Sequence, residues 1–419
     1  MPTSEPNQGR PLEFHFARRF NEIMGIHMAM ENQPATDLWA AALLEDALQF
    51  KASDLHIEPG ALKTRVRLRV DGVLHDVAIL ARPAGQHLVS YFKVISQLDA
   101  MALAHPEHGH ASVEVGTKRL ELRTTVVPTA HGEMLGVRLL NAQRTLMRLP
   151  EAGMAGADQE ILHRWLSENQ GMLLVCGPVG SGKTSTLYAI LHELQSLPGS
   201  IVTAEDPVEC DFEGITQMEV NPKRGLHFPE AIRAMLRLDP DYLLIGEIRD
   251  PESAHMAITA AGSGQALLST IHARDAVGAV TALRNYGVKN WEISAALEVS
   301  TAQRLVRRVC QRCRVLEKVT ALQKEWFTAQ GLPAPESLWT SVGCDSCANT
   351  GYDGRLGVFE LWRITAEERA LILQGADETA LRKYAMNHGM HSLLRDGLEK
   401  AASGLTTLAE IRPLIHWTG

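Results

Sequence analysis

Long apolar runs are missing from this chain; none approaches the ~20 residues that span a bilayer as a helix. The opening stretch, Met1 to Arg10, is polar and lacks the apolar core of a secretory leader. Cysteine is scarce, six in 419 residues, which excludes a disulfide scaffold and favours a reducing, cytoplasmic setting. An excess of positive charge is also absent. Forty-one Lys and Arg stand against 49 Asp and Glu, net −8, which is not the footprint of a nucleic-acid coat. No internal repeat or low-complexity tract occurs. What is present is ordinary globular usage, 45% hydrophobic and 21% charged with 33 Gly and 19 Pro, so a disordered, collagenous or coiled-coil chain is excluded. At roughly 100–200 residues per domain, the length predicts two to four domains.

Periodicity divides the chain. Residues 1–35 are polar, rich in Pro, Asn and Gln, and read as a tail or a short helix. From Asp37 to Phe50 the apolar positions Leu38, Ala41, Leu44 and Leu48 recur with helical period, with Asp37 as cap. The period then becomes two. Leu55 and Ile57 face away from Asp54, His56 and Glu58, and Val66, Leu68 and Val70 face away from Arg65, Arg67 and Arg69. Asp54, His56 and Glu58 on one strand face suggest a metal site, but the neighbouring arginines make cross-strand ion pairing the cheaper explanation. Further strand-like stretches at 112–127 and 134–140 complete a small α/β domain over 36–145, followed by a linker over 146–160. From Gly171 onward, short apolar runs alternate with helical segments: Met172–Cys176, Ile201–Ala204, Tyr242–Ile245 and Ala266–Thr270. That alternation predicts a parallel sheet covered by helices on both faces. The C-terminus is helical from about residue 366.

Gly177, Pro178, Val179, Gly180, Ser181, Gly182, Lys183 and Thr184 fit the phosphate-loop pattern GxxxxGK[ST]. The pattern alone recurs by chance, but here an apolar strand precedes it and a helical run follows. Glycines let backbone N–H groups curl round phosphates at a helix N-terminus. Lys183 would then bridge the β- and γ-phosphates, and the Thr184 hydroxyl would hold Mg²⁺. Such a site needs acid on a second strand, and Asp241 to Glu247 supplies it, with Glu247 placed to polarise the attacking water. Gly246 stands where an Asp is usual. Glu205, ending the strand from Ile201, is a candidate substitute acting through metal-bound water. His272 follows another apolar strand and is either a γ-phosphate sensor or a structural histidine.

Cys310 and Cys313, with Cys344 and Cys347, form two CxxC knuckles. Four thiolates make a closed tetrahedral Zn²⁺ site with no position left for water, so a structural role is expected. The segment between the knuckles predicts a helix over 317–330. Cys176 and Cys210 have no partners at metal spacing and read as core thiols.

Taken in order, these motifs resemble the secretion ATPases of type II secretion and type IV pilus assembly. The resemblance runs over roughly residues 45–410. It rests on Ala52 to Pro59, the Walker A loop, the acidic box Thr203 to Glu209, the stretch Leu238 to Asp250, the histidine box Leu268 to His272, and the tetracysteine segment ending at Arg355. It implies an α/β protein: a small PAS-like N-terminal domain joined to a RecA-like P-loop domain over 161–419. That second domain includes an inserted zinc segment at 305–360 and a helical part at 361–419. It implies a homohexamer hydrolysing ATP with Mg²⁺, peripheral at the inner membrane, that drives a platform protein to add pilin subunits to a filament. Gly246 is normal in that family, and Glu205 and His272 inherit nucleotide-site roles by position. Arg123, in Leu122 to Pro128, corresponds to an arginine that reaches the nucleotide from the N-terminal domain.

Three departures stand out. The first ~45 residues leave no room for the additional docking domain expected of this family. The segment expected to carry a second nucleotide-directed arginine reads Pro106-Glu-His-Gly-His110, and the histidine box opens Gly264-Gln265 rather than Gly-His. Other readings are a retraction motor, a DNA-translocating or DNA-binding ATPase, and a weakly active regulatory ring. The tetracysteine motif argues against the first. Arg304, Arg307, Arg308, Arg312 and Arg314 crowd the first knuckle, but without interleaved aromatics for stacking bases no nucleic acid is expected.

Overall fold

The computed structural model describes residues 36–101, 105–140, 147–221 and 224–415. The expected tail over 1–35 and the first residue of the 146–160 linker lie outside these. Two compact units emerge. One is built on residues up to Asn141 and also takes in Val309–Val315 and Ser341–Gly354, the stretches that carry the cysteine knuckles. The other contains Ala142–Arg308, Leu316–Thr340 and Arg355–Gly419.

The first unit is a six-stranded antiparallel sheet, in spatial order β3-β2-β1-β6-β5-β4. Its strands are β1 (Ala52–Pro59), β2 (Lys63–Val70), β3 (Val73–Ala81), β4 (Glu107–Val115), β5 (Lys118–Thr129) and β6 (Gly132–Leu140). Strict alternation puts Leu55, Ile57, Val66, Leu68, Leu122 and Val137 on one face, buried against Trp39 and Leu43 of α1 (Thr36–Gln49) and Leu88 and Phe92 of α2 (Arg82–Ile95). The helix expected over 37–50 is α1. The strand-like stretch 112–127 is in fact parts of two strands, because Gly116 at φ 61° turns the chain into a hairpin. Helix α2 was not anticipated; its moderate mean hydropathy hides a well-defined apolar stripe.

The opposite face of this sheet is charged. Arg67 pairs with Glu58, Arg138 lies 3.3 Å from Asp54, and Arg69 and Arg65 lie 3.8 Å from Asp54 and Asp76. The acids around His56 are therefore satisfied by arginines on neighbouring strands, as cross-strand pairing requires.

The second unit is built on a seven-stranded sheet ordered β15-β12-β7-β11-β10-β8-β9. Its strands are β7 (Gly171–Cys176), β8 (Ile201–Glu205), β9 (Thr216–Glu219), β10 (Tyr242–Ile248), β11 (Ala266–Ile271), β12 (Leu297–Val309) and β15 (Tyr352–Arg363). Strands β12, β7, β11, β10, β8 and β9 pair in parallel. Every residue of β7 and β11 is buried, because helices cover both faces. Met172, Leu174 and Cys176 face a core lined by Ile232, Ala257 and Val280; Leu173 and Val175 face one lined by Leu162, Trp165 and Ile190. These come from α3 (Gly156–Glu168), α4 (Lys183–Leu194), α5 (Phe228–Met235), α6 (Pro251–Ala261) and α7 (Gly278–Asn285). Between the two knuckles, the expected helix is shorter, Ala321–Ala329, because Thr320 caps it and β13 (Arg314–Lys318) pairs with β14 (Ser337–Ser341). Four C-terminal helices follow between Ala366 and Ile415. Among the described residues, no helix is long and apolar enough to cross a membrane.

Candidate nucleotide site

Strand β7 runs out at Cys176 into the loop Gly177–Gly182, and α4 begins at Lys183. Gly177, Gly180 and Gly182 have φ values of 152°, 78° and 91°, a region other residues enter only with strain. Such a path lets a loop turn successive N–H groups inward, as phosphate binding requires; here Ser181 N–H donates to the Pro178 carbonyl at 3.3 Å. Lys183 folds back over it: Nζ donates to the carbonyls of Gly177 (2.9 Å) and Pro178 (3.3 Å). Burial draws this ammonium's pKa below the usual lysine value, while the Glu247 carboxylate opposes the shift. A cation held by backbone carbonyls at the mouth of a glycine loop suits an arriving polyphosphate. Thr184 is exposed at the first turn of α4, its hydroxyl available to a cation beside that phosphate.

The neighbouring strand ends supply the rest. Glu247 sits near the end of β10, its side chain 15% exposed, and both its oxygens are engaged. His272, just past β11, reaches one through Nε2, and Arg249 donates to the other through Nε. Arg249 also reaches Asp206, at 3.3 Å. Asp206, Arg249, Glu247 and His272 thus form one chain of contacting polar side chains across the ends of three parallel strands. The sequence reading did not single out Arg249. Its position two residues after Glu247, on the same side of extended backbone, was the available signal.

Glu205 lies deeper. It is buried, and its oxygens accept hydrogen bonds from Thr203 Oγ1 (2.6 Å), Gln217 Nε2 (3.1 Å) and Tyr188 Oη. Burial and the adjacent carboxylate push the Tyr188 phenol upward, keeping it protonated as the donor. Tyr188 belongs to α4, so Glu205 ties the helix that follows the phosphate loop to the end of β8. The protein itself occupies this carboxylate's lone pairs.

Cys176, fully buried, has its thiol pushed up to about 12 and is inert. Cys210 is half-buried rather than a core thiol. Cys310, Cys313, Cys344 and Cys347 do converge. All four sulfurs lie within 4.8 Å of one another, with Cys310–Cys344 at 3.9 Å and Cys313–Cys347 at 3.8 Å. Tetrahedral zinc with bonds of about 2.3 Å needs sulfur separations of about 3.8 Å. Backbone N–H groups of Gly351 and Cys344 point at Cys347 Sγ from 3.2 and 3.3 Å, the outer-shell support a thiolate ligand receives. The donor set fits zinc.

Arg123 lies on β5, directly opposite His110 on β4 and Arg138 on β6. Alternation places all three on the charged sheet face, away from the core, with Arg123 half-buried and His110 exposed.

A family model described as "Type II/IV secretion system protein" matches residues 29–412. The chain belongs to that family. The type II secretion system protein HxcR of Pseudomonas aeruginosa is 42% identical over 370 residues, 88% of this chain and 75% of that protein. The type IV pilus assembly ATPase PilB of Acinetobacter baylyi is 39% identical over 373 residues, covering 88% of this chain and 64% of its own length. Among solved structures, the Legionella pneumophila ATPase DotB superposes with a TM-score of 0.69 at 18% identity, covering 92% of this chain and 98% of that one, a likeness of fold. This secretion ATPase is an α/β protein with a PAS-like sheet domain, a RecA-like P-loop domain, a clustered tetracysteine segment and a helical C-terminus.

Proposed function

We propose that this secretion ATPase is a hexameric, Mg²⁺-dependent motor. Its turnover drives an inner-membrane platform protein in assembling a type IV pilus or a type II secretion pseudopilus. The observation that carries the reading is the convergence of Lys183, Glu247 and His272 at adjacent strand ends beside the glycine loop. Residues Gly177 to Thr184 cradle the phosphates of ATP, and Lys183 exchanges loop carbonyls for phosphate oxygens. Mg²⁺, held by the Thr184 hydroxyl, would neutralise charge building on the transferring phosphoryl group. Glu247 orients the attacking water, and His272 and Arg249 fix the carboxylate that does so. Glu205 acts through Tyr188 as a positioning residue. Arg123 is the further catalytic cation that the family resemblance implies. Zn²⁺ on Cys310, Cys313, Cys344 and Cys347 is structural. The chain works on the cytoplasmic side, peripheral at the membrane through its partners, without nucleic acid.

Phosphate release by the full chain, measured with ATP with and without Mg²⁺ alongside particle mass, tests this. Hydrolysis that requires Mg²⁺ and rises as six-subunit particles form is expected. An assembled ring without turnover would leave only the regulatory reading, and DNA-stimulated turnover with steep salt dependence would favour the translocase.

A further inference from the structure

The phosphate loop is braced from behind by a residue that no catalytic motif contains. Gln303 lies on β12, which runs alongside β7 with Ala302 opposite Cys176, so it sits where β7 gives way to the loop. It is 1% exposed. Its Nε2 donates to the Ser181 carbonyl at 2.7 Å. The same residue abuts both ends of the loop. A Cβ at Gly177 would stand 2.9 Å from the Gln303 carbonyl oxygen, and one at Gly182 would stand 2.9 Å from Gln303 Nε2. These two glycines are therefore required by close approach as well as by φ. Around this contact, Gln303 Oε1, Ser181 Oγ and Thr301 Oγ1 are buried with no hydrogen-bond partner among the described residues. Orphaned polar atoms carry a desolvation cost and are rare in folded proteins.

We propose that Gln303 is the positioning residue of the phosphate loop. Its carboxamide holds the Ser181 carbonyl outward, so that the loop's N–H groups face the nucleotide before it arrives. Preorganisation of this kind acts on the bound ground state: losing it weakens ATP and ADP binding more than it slows the chemical step. The inference rests on the loop's being the nucleotide site.

The test uses the full chain with ATP and ADP as probes. Gln303→Met keeps the volume and removes the donor; Gln303→Glu keeps the shape, removes the donor and adds a negative charge. A lost buried hydrogen bond translates into about tenfold in KM for ATP, with kcat changed by less than about threefold. Gln303→Glu should weaken binding further, and ADP should protect either variant less against heat than the parent. Gln303→Asn, which keeps the amide on a shorter arm, should recover part of the loss. If Gln303→Met retains the parent KM, or loses kcat at unchanged KM, Gln303 is only a core residue and the proposal is wrong. Should the methionine variant not fold, Gln303→Glu decides by the same KM and ADP criteria. Lys183→Ala is the control. If it hydrolyses ATP normally the nucleotide reading itself falls, whereas its inactivity beside an unaffected Gln303→Met overturns the positioning role alone.

Discussion

The two sheets of this protein deploy functional side chains in opposite ways. In the parallel sheet, the central strands β7, β8 and β11 are buried on both faces, so they have no free face and chemistry is confined to their C-terminal ends. There, Lys183, Glu247, Arg249 and His272 meet. In the antiparallel sheet only one face is buried, and polar groups line the length of the other. A strand-end site is fixed by where strands stop, and its parts are held by several elements at once. A site on an open face is fixed only by register, and its charges are largely spent on one another. Disruption should therefore be severe at the strand ends and graded on the open face.

The largest effects are expected at the strand ends. Lys183→Ala removes the cation of the loop, and Glu247→Gln keeps the shape of the water-orienting group without its charge. Each should lower kcat by on the order of 10²–10³-fold or more. They should differ in binding: Glu247→Gln retains nucleotide, whereas Lys183→Ala loses it. Parent turnover by Glu247→Gln would remove that carboxylate from its assigned role.

Zinc is next. One Zn²⁺ per chain is expected by metal analysis. Because the four thiolates are gathered only in the folded state, its binding energy, about 10–16 kcal/mol for structural zinc in small peptides, is folding energy for this segment. Chelation or Cys344→Ser should lower the melting temperature and release the metal. Folded, fully reduced protein without metal would overturn the assignment.

On the open face the effects should be graded. Arg123→Ala should reduce kcat with nucleotide affinity largely kept, and by less than the strand-end substitutions, if its guanidinium acts as a further cation for the transferring phosphoryl group. His110 stands directly opposite Arg123. His110→Arg would add a second guanidinium and should raise the rate. It should also cost about 0.2–1 kcal/mol of stability, because like charges would then face each other across the pair. If parent, His110→Arg and His110→Ala agree in rate within about twofold, position 110 is a spectator.

The same contrast explains what was legible beforehand. The phosphate loop, Glu247 and the paired cysteines announce themselves by spacing, because a glycine loop and a metal knuckle are local objects. Helix α2 and the β4–β5 hairpin were blurred by polar faces that dilute the apolar signal. Glu205 was visible as an acid at a strand end, but its ties to Tyr188, Thr203 and Gln217 connect separate elements. Gln303 was not legible at all, since its meaning comes from lying behind a loop more than a hundred positions away.

The last predicted effect concerns stability alone and lies away from both sites. Asp158 is in the first turn of α3, where the helix N-terminus ordinarily welcomes negative charge. Burial overrides that preference, and the nearby Asp396 adds to it while Lys400 opposes; together they raise the Asp158 carboxyl from 3.8 to about 6. Because the folded-state value lies above the unfolded one, the folded protein binds this proton more tightly. The fold therefore bears no charge penalty below about pH 4 and the full penalty above about pH 6. Two units at 1.36 kcal/mol each set an upper bound of about 3 kcal/mol, and partial exposure reduces this to about 1. Asp158→Asn should accordingly raise the melting temperature by about 2–4 °C at pH 7.5 and leave it unchanged at pH 4. An equal gain at both pH values would mean that the substitution acts through packing. No gain at pH 7.5 would mean that the helix N-terminus, not burial, governs this carboxylate.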